Sequence, residues 1–123
     1  MDHEELARRT QDFALRIIRL VAAMPRTRQA DILAGQLLKA GTSVGANYRE
    51  ARRGRSRADF AAKVGVCLQE SDESAYWLEL IAKSGIIRAE LLTDLQKESH
   101  ELTAIFAASL KTARNRNHPR PPE

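Results

Sequence analysis

Residues 48–60 read YREARRGRSRADF and contain the clearest break between two helices in the chain. Gly54 is the type of residue that ends a helix, and Ser56 followed three residues later by Asp59 resembles the capping box that starts one. Five arginines occupy nine consecutive positions here, 49–57, with one acid among them. The stretch therefore predicts a corner between two helices with a high local positive charge.

Apolar residues recur at helical spacing in four runs along the chain. The first run is predicted to stop at Pro25, the second ends at the corner, the third starts there and closes at Gly85, and the fourth begins near residue 91. Four helices joined by short turns predict an all-α fold, an antiparallel up-down four-helix bundle. We assign residues 1–114 to this domain and residues 115–123, which are polar and rich in proline, to a disordered C-terminal tail.

Length and cysteine content limit the class of protein. The chain has 123 residues, the size of one domain, and its single cysteine, Cys67, is predicted to be a small core residue. No apolar stretch approaches the roughly 20 residues that a membrane helix needs, and the charged N-terminus does not resemble a signal peptide. We therefore expect a soluble, cytoplasmic protein with no membrane partner, no metal and no cofactor.

Charge is distributed unevenly along the chain. The net charge is +4, but residues 1–57 carry twelve basic and six acidic side chains, whereas residues 58–110 carry four and nine. Fifteen of the twenty basic residues are arginine, whose planar guanidinium suits forked contacts with phosphate or carboxylate. Such a distribution is typical of nucleic-acid binding and also of subunits that attract one another.

The arginines of the corner are the candidate nucleic-acid-binding residues: Arg49, Arg52, Arg53, Arg55 and Arg57. The first three suit the negative end of the helix dipole and need no ligand to explain them, but the last two lack this explanation. No aromatic residue is interleaved between them, so such a site would bind a phosphate backbone without reading sequence. A solvated corner, contact with RNA or DNA, and a salt bridge to a neighbouring subunit all remain open.

Helix three has apolar residues on two faces. Its core face centres on Val64, Ser71 and Leu78. A second stripe is assigned to an oligomer interface formed by Ala62, Val66, Glu70, Glu73, Trp77 and Leu80. One buried face is enough for a monomeric bundle, and tryptophan is a common interface anchor, so we expect copies of the chain to associate. The alternative is that Trp77 covers the groove beside helix four.

Helix two contains glycines that a helix tolerates poorly. Gly35, Gly41 and Gly45 each cost about 1 kcal/mol relative to alanine. Gly41 and Gly45 lie on one flank, which favours the close approach of another helix; the alternative is that the bundle simply tolerates these glycines. Asn47 and Glu50 lie at the edge of the apolar stripe and are predicted to be structural links to a neighbouring helix, because partly buried polar groups need partners.

Patterns that would indicate enzyme chemistry are weak. Glu70 with Glu73 and Glu98 with Glu101 form two E-x-x-E pairs of the kind that binds magnesium in all-helical nucleoside triphosphate pyrophosphatases. Glu73 points away from the face that Glu98 would line, however, and the second pair in such enzymes usually ends in aspartate. We therefore expect no catalytic residues, and a magnesium-dependent nucleotide pyrophosphohydrolase is the less favoured alternative.

Two segments carry a resemblance to a known family: LLKAGTSVGANYREA at 37–51 and RSRADFAAKVGVCLQESDESAYWLELIAKSGII at 55–87. An S-x-G-A-N-x-x-E-A run starts at Ser43, an F-x-x-K run at Phe60, and an E-x-x-E-x-x-Y-W-L run at Glu70. Over roughly 90 residues, these segments and the flanking helices resemble the bacterial four-helix-bundle family of 23S ribosomal-RNA intervening-sequence proteins.

The resemblance implies a bundle without enzymatic activity that gathers into a five-membered ring. A related group, the accessory variability proteins of diversity-generating retroelements, forms basic pentameric barrels that work with a reverse transcriptase and RNA. The chain departs from its relatives at Arg52, Arg53 and Arg55, where they often have acidic or glutamine-rich residues. A homopentamer that binds RNA or acts as a nucleic-acid scaffold is the leading hypothesis, and a protein–protein adaptor without nucleic-acid binding is the alternative.

Overall fold

The computed structural model describes residues 1–117, and over that range the chain forms four α-helices, one short 3₁₀ turn and no β-strand. The elements are α1 (His3–Ala23), α2 (Arg28–Arg52), α3 (Arg57–Ser84), the 3₁₀ turn (Ala89–Leu91) and α4 (Thr93–Asn117). The predicted all-α class and the four helices are confirmed. None of the helices in this range has the length and hydrophobicity to cross a bilayer.

Local capping explains where the helices of the corner begin and end. The hydroxyl of Ser56, the N-cap of α3, accepts a hydrogen bond from the backbone N–H of Asp59 at 3.0 Å, as the sequence predicts. At the other end of α3, Gly85 has a φ of 77°, in the left-handed region that glycine tolerates best. These two residues fix the limits of the longest helix.

The fourth helix differs from prediction at both ends. Leu91, predicted as its first apolar residue, belongs to the 3₁₀ turn and is 64% exposed, and the helix starts at Thr93. The helix runs to Asn117, three residues past the predicted domain boundary at residue 114. The remainder of the predicted tail, residues 118–123, lies outside the described residues.

One hydrophobic core joins the four helices. α2 packs against α1 and α3, α3 packs against α4, and α1 makes a smaller contact with α4. The largest fully buried side chains of the core include Phe13, Ile17, Leu37, Tyr48, Leu78, Leu102 and Phe106. The predicted core face of α3 is confirmed, because Val64, Ser71 and Leu78 are completely buried.

Close contact between α1 and α2 explains two of the three glycines in α2. A Cβ at Gly41 would lie 2.8 Å from Cγ1 of Ile17, and a Cβ at Gly45 would lie 3.3 Å from Oγ1 of Thr10. The predicted close approach of another helix is therefore confirmed at both positions. Gly35 has open space around it, because a Cβ at this position would meet no atom within 4 Å, so it serves no such purpose.

Small polar side chains join α3 to α4 inside the core. The hydroxyl of Ser99 donates to the backbone oxygen of Ser71 at 2.8 Å, and the hydroxyl of Thr103 donates to the Ser71 hydroxyl at 3.1 Å. Within the described range, no buried side-chain nitrogen or oxygen lacks a hydrogen-bond partner. Burial of these polar groups is therefore compensated, as a stable core requires.

Candidate nucleic-acid interface

The corner between α2 and α3 is held by backbone contacts within a few residues. The N–H of Gly54 donates to the carbonyl oxygen of Ala51 at 3.1 Å, and the N–H of Arg55 donates to the Asp59 carboxylate at 3.3 Å. A Cβ at Gly54 would lie 3.1 Å from that carbonyl oxygen and 3.2 Å from Cβ of Asp59. Gly54 is needed here because the chain passes close to itself, and its φ is not positive.

The structure divides the five corner arginines between two concavities. One is a groove of about 600 Å³ between α1 and α2, which we call the inner groove; it is lined by Arg49, Arg52 and Arg53, among others. The second is a pocket of about 880 Å³ between the corner and the last turns of α4, which we call the outer pocket; Arg52, Arg55 and Arg57 line it. Arg52 contributes to both.

The arginines also differ in their ion pairs. Arg52 contacts Glu4 of α1, with 2.8 Å between guanidinium nitrogen and carboxylate oxygen. Among the side chains that the structure describes, at residues 1–115, no ion pair involves Arg49, Arg53 or Arg55, and all three residues are exposed. Their charge therefore remains available to an external anion.

The inner groove contains an arginine that sequence reasoning missed. Arg8 of α1 lines the groove opposite the end of α2. Its neighbour Arg9 instead forms a forked ion pair with Glu98 of α4. Two adjacent arginines on one helix thus have different surroundings, and the packing of α1 on α2 places Arg8 beside the corner.

The outer pocket brings aromatic rings next to the arginines. Phe60 of α3 and His3 of α1 both line it, with their rings edge to face at 6.3 Å between centroids. His3 also forms a hydrogen bond with the hydroxyl of the buried Tyr48, 2.7 Å from its Nδ1. No aromatic is interleaved with the arginines in sequence, but the fold brings Phe60 and His3 beside Arg52, Arg55 and Arg57.

The predicted oligomer stripe on α3 is partly exposed. Ala62 and Glu73 are exposed, whereas Val66, Glu70 and Leu80 are half-buried. Trp77 is half-buried and packs partly against the core, and its indole N–H donates to Glu73 at 3.3 Å. The stripe is thus a mixed apolar and acidic surface.

Asn47 and Glu50 make different contacts from one another. The Glu50 carboxylate on α2 meets the ammonium group of Lys63 on α3 at 2.6 Å, which joins the two helices. The Asn47 amide donates to the carbonyl oxygen of Ser43, 2.8 Å away and within α2 itself. The predicted contact of Asn47 with a neighbouring helix is therefore replaced by one within its own helix.

The carboxylate pairs do not form a common site. Arg9 contacts both members of the second pair, at 2.6 Å from Glu98 and 3.4 Å from Glu101. Among residues 1–117, no group of three or more His, Cys, Asp or Glu side chains could bind a metal ion. Glu98 and Glu101 are thus paired with an arginine of the same chain.

Cys67 offers no nucleophile either. The side chain is completely buried, and burial raises the pKa of its thiol to about 12. A reactive cysteine needs a lowered pKa and solvent access, so this residue is a core side chain.

Comparison with known proteins places the chain in a family. The family model for 23S rRNA-intervening sequence proteins matches residues 3–108. A crystal structure from Bacteroides thetaiotaomicron, described as a protein with unknown function from the S23 ribosomal protein family, is 32% identical with a TM-score of 0.83. The similarity covers 90% of this chain and 99% of that one. No curated protein matches the sequence. The chain therefore belongs to the 23S rRNA-intervening sequence protein family.

Proposed function

We propose that the protein is a non-enzymatic, homo-oligomeric bundle that binds the phosphate backbone of RNA through its arginine corner. The observation that carries this proposal is the exposure of Arg49, Arg53 and Arg55 without an ion pair to any described residue. Arginines that served only to stabilise the fold would be expected to contact an acid of the same chain. Guanidinium groups held on a short, hydrogen-bonded corner are suited to phosphate.

The contacts between α1 and α2 support an up-down antiparallel arrangement. Glu4 meets Arg52, Thr10 meets Gly45, and Ile17 meets Gly41, so later residues of α1 contact earlier residues of α2. This arrangement brings the start of α1, the corner and the last turns of α4 to one end of the bundle. The lining of the outer pocket by residues from all three regions fits this arrangement.

A ring of such bundles, a homopentamer as in the accessory variability proteins, would repeat the corner around its axis. The exposed and half-buried stripe on α3 is the surface that we assign to the contact between subunits, and the opposite charges of the two halves of the chain favour head-to-tail association. Repetition matters because several weak phosphate contacts on one RNA act together through effective concentration. A bound RNA would therefore be held more tightly by the ring than by a protomer.

Charge reversal at the corner tests the proposal. The Arg49→Glu, Arg53→Glu and Arg55→Glu triple variant should lose RNA retention in a fluorescence anisotropy titration, and wild-type affinity should fall linearly with salt on a log–log plot. These three side chains have no ion pair to lose within residues 1–115, so the fold should be maintained.

A control variant separates the effect of the corner itself from the effect of the protein's net charge. The Arg19→Glu, Arg26→Glu and Arg28→Glu variant changes the charge by the same amount away from the corner. At 1.5 Å per residue, Arg28 lies about 36 Å from the corner along α2, and Arg19 lies about 22 Å along α1 from Glu4, which contacts Arg52. It should retain most of the affinity. Equal loss in both variants, or no loss in the corner variant, would contradict a site at the corner.

The adaptor alternative makes a different prediction for the same protein. If the arginines only join subunits, the corner variant loses the oligomer in light scattering, and the wild-type protein does not bind RNA at any salt concentration. RNA binding by an intact wild-type oligomer excludes that alternative.

A further inference from the structure

We propose that the outer pocket binds one unpaired nucleotide of an RNA strand, with its base against Phe60 and its phosphate between the arginines. This inference rests on the proposed function and adds a preference for single strands, which backbone contacts alone would not give. The pocket volume of about 880 Å³ is within the range of sites for small organic ligands and exceeds the needs of a single base.

The charge of the pocket favours an anion. Arg52, Arg55 and Arg57 line it, and no carboxylate is found among its described lining residues. Arg52 keeps its ion pair with Glu4 of α1 and Arg57 has a contact of its own, so the exposed Arg55 contributes most to the attraction of an anion. Asp59 follows Arg57 by two residues in the sequence, but its carboxylate accepts a hydrogen bond from the backbone N–H of Arg55 at 3.3 Å. The inner groove differs in this respect, because Glu4 lines it.

An aromatic ring lines the pocket. Phe60 is half-buried and packs against the core, and its ring is nearly perpendicular to that of His3, with 6.3 Å between the centroids. A ring held in this way loses little entropy when a base stacks on it, and base–aromatic stacking is a main source of affinity for single strands. Bases in a duplex are already stacked and paired, so only an unpaired base can enter.

Hydroxyl groups line the side of the pocket that α4 forms. The Thr112 hydroxyl donates its hydrogen to the Ala108 carbonyl oxygen at 3.1 Å, which leaves the Thr112 oxygen as an acceptor. Ser109 lies one turn earlier on the same helix and also lines the pocket. The outer pocket thus offers arginines for the phosphate, the Phe60 ring for the face of the base, and the hydroxyl groups of α4 for the edge of the base.

The test compares three ligands by fluorescence anisotropy or competition. They are an unstructured RNA strand of about twelve nucleotides, the same strand annealed to its complement, and inorganic polyphosphate. Wild-type protein should bind the single strand roughly tenfold more tightly than the duplex, and polyphosphate should compete through charge alone. Equal affinity for strand and duplex would overturn the inference without needing any variant.

Phe60→Leu keeps an apolar side chain of similar bulk and removes the stacking surface. It should weaken single-strand binding by roughly tenfold and leave polyphosphate binding unchanged, and Phe60→Tyr should restore strand binding. Circular dichroism and unfolding curves establish that each variant is folded. Unchanged strand binding by a folded Phe60→Leu protein refutes the base pocket, while loss of binding in the corner charge-reversal variant would still support the backbone site.

Discussion

The forked ion pair between Arg9 and Glu98 is the main polar contact between α1 and α4. Nε and an η nitrogen of Arg9 donate to the two carboxylate oxygens at 2.8 and 2.6 Å. The side chains are 27% and 13% exposed, so solvent screens the pair less than it would a surface pair. The hydrogen bond to Glu98 is also the largest cause of the raised pKa of Arg9.

Glu98→Gln should lower the free energy of unfolding by about 1–2 kcal/mol, because Arg9 keeps its charge but loses the carboxylate. Urea unfolding measures this change. Asp31→Asn is the matched control: its pair with Arg26 has side chains 88% and 51% exposed, and its loss should cost at most about 0.5 kcal/mol. Similar losses of stability in both variants would show that partial burial does not strengthen the Arg9–Glu98 ion pair relative to an exposed one.

Glu70 on α3 gives a pH-dependent prediction. Burial raises the pKa of this carboxyl from its ordinary value of 4.5, Glu73 raises it further, and Lys39 opposes the shift. A raised pKa in the folded protein means that folding favours the protonated form. The stabilisation that the protonated Glu70 carboxyl provides is complete below pH 4.5, and it is lost as the pH rises through the pKa of this carboxyl in the folded protein.

The neutral variant Glu70→Gln should therefore unfold at slightly higher urea concentration than wild type at pH 7, with a gain of up to about 0.5 kcal/mol. Well below pH 4.5 the two proteins should be equally stable, because Glu70 is then protonated in both the folded and unfolded states. A variant that is less stable than wild type at pH 7 would mean that the ionised carboxylate is favoured in the fold.

The contact partners of individual side chains were the feature that the sequence predicted least well. The sequence shows that Arg8 and Arg9 are adjacent, but not that one lines a groove beside α2 and the other binds α4. A difference of one residue turns a side chain by about 100° around a helix, so partner choice depends on the rotation of α1 about its axis. Phe60 likewise has two roles that its position in the sequence does not reveal, because it packs against the core and its ring also lines the outer pocket.

Helix α2 shows how two similar glycines can have opposite consequences. Gly41→Ala should destabilise the protein by roughly 1–3 kcal/mol, because the new Cβ would lie 2.8 Å from Cγ1 of Ile17, a stiff and fully buried side chain. Gly35→Ala meets nothing within 4 Å and should stabilise by about 0.5–1 kcal/mol through helix propensity.

Thermal and urea unfolding of the two variants measure the difference directly. Their substitutions are chemically identical and lie on the same helix, so propensity contributes equally to both. A stabilising effect of Gly41→Ala would show that α1 shifts away easily and that the close packing is not required.

The helices themselves were predictable because short local signals fix their ends. Pro25 follows the end of α1, Ser56 caps α3, and Gly85 terminates it with a positive φ. The 3₁₀ turn before α4 was not predictable, because Leu91 fits the apolar period of the helix although its side chain is 64% exposed. The next residue, Leu92, is completely buried, and α4 begins after it at Thr93.

The prediction for the whole molecule is that copies of the chain assemble into an oligomer through the stripe on α3. Val66→Gln with Leu80→Gln changes the half-buried stripe on α3 without altering Trp77, which packs partly against the core. Light scattering should show an oligomer for wild type and a protomer of 13.8 kDa for this variant. Ile32→Gln, which changes a 60% exposed side chain on α2, should leave the oligomer intact.

A wild-type protein that remains a single protomer at every concentration would contradict the ring. The sequence pattern shows two apolar faces on α3, but the number of subunits depends on the angle between neighbouring copies. That angle is a property of the interface between whole subunits, and residue spacing along one chain does not determine it.

The buried thiol of Cys67 gives the protein an intrinsic reporter of its own opening. Cysteine reagents attack the thiolate, and a side chain that is completely enclosed, with a pKa of about 12, presents none at neutral pH. Covalent labelling must then wait until the core separates, and its rate divided by that of an unfolded peptide gives the equilibrium constant for this separation. Since the chain contains one cysteine, mass spectrometry of the intact protein would count opened molecules without any engineered label.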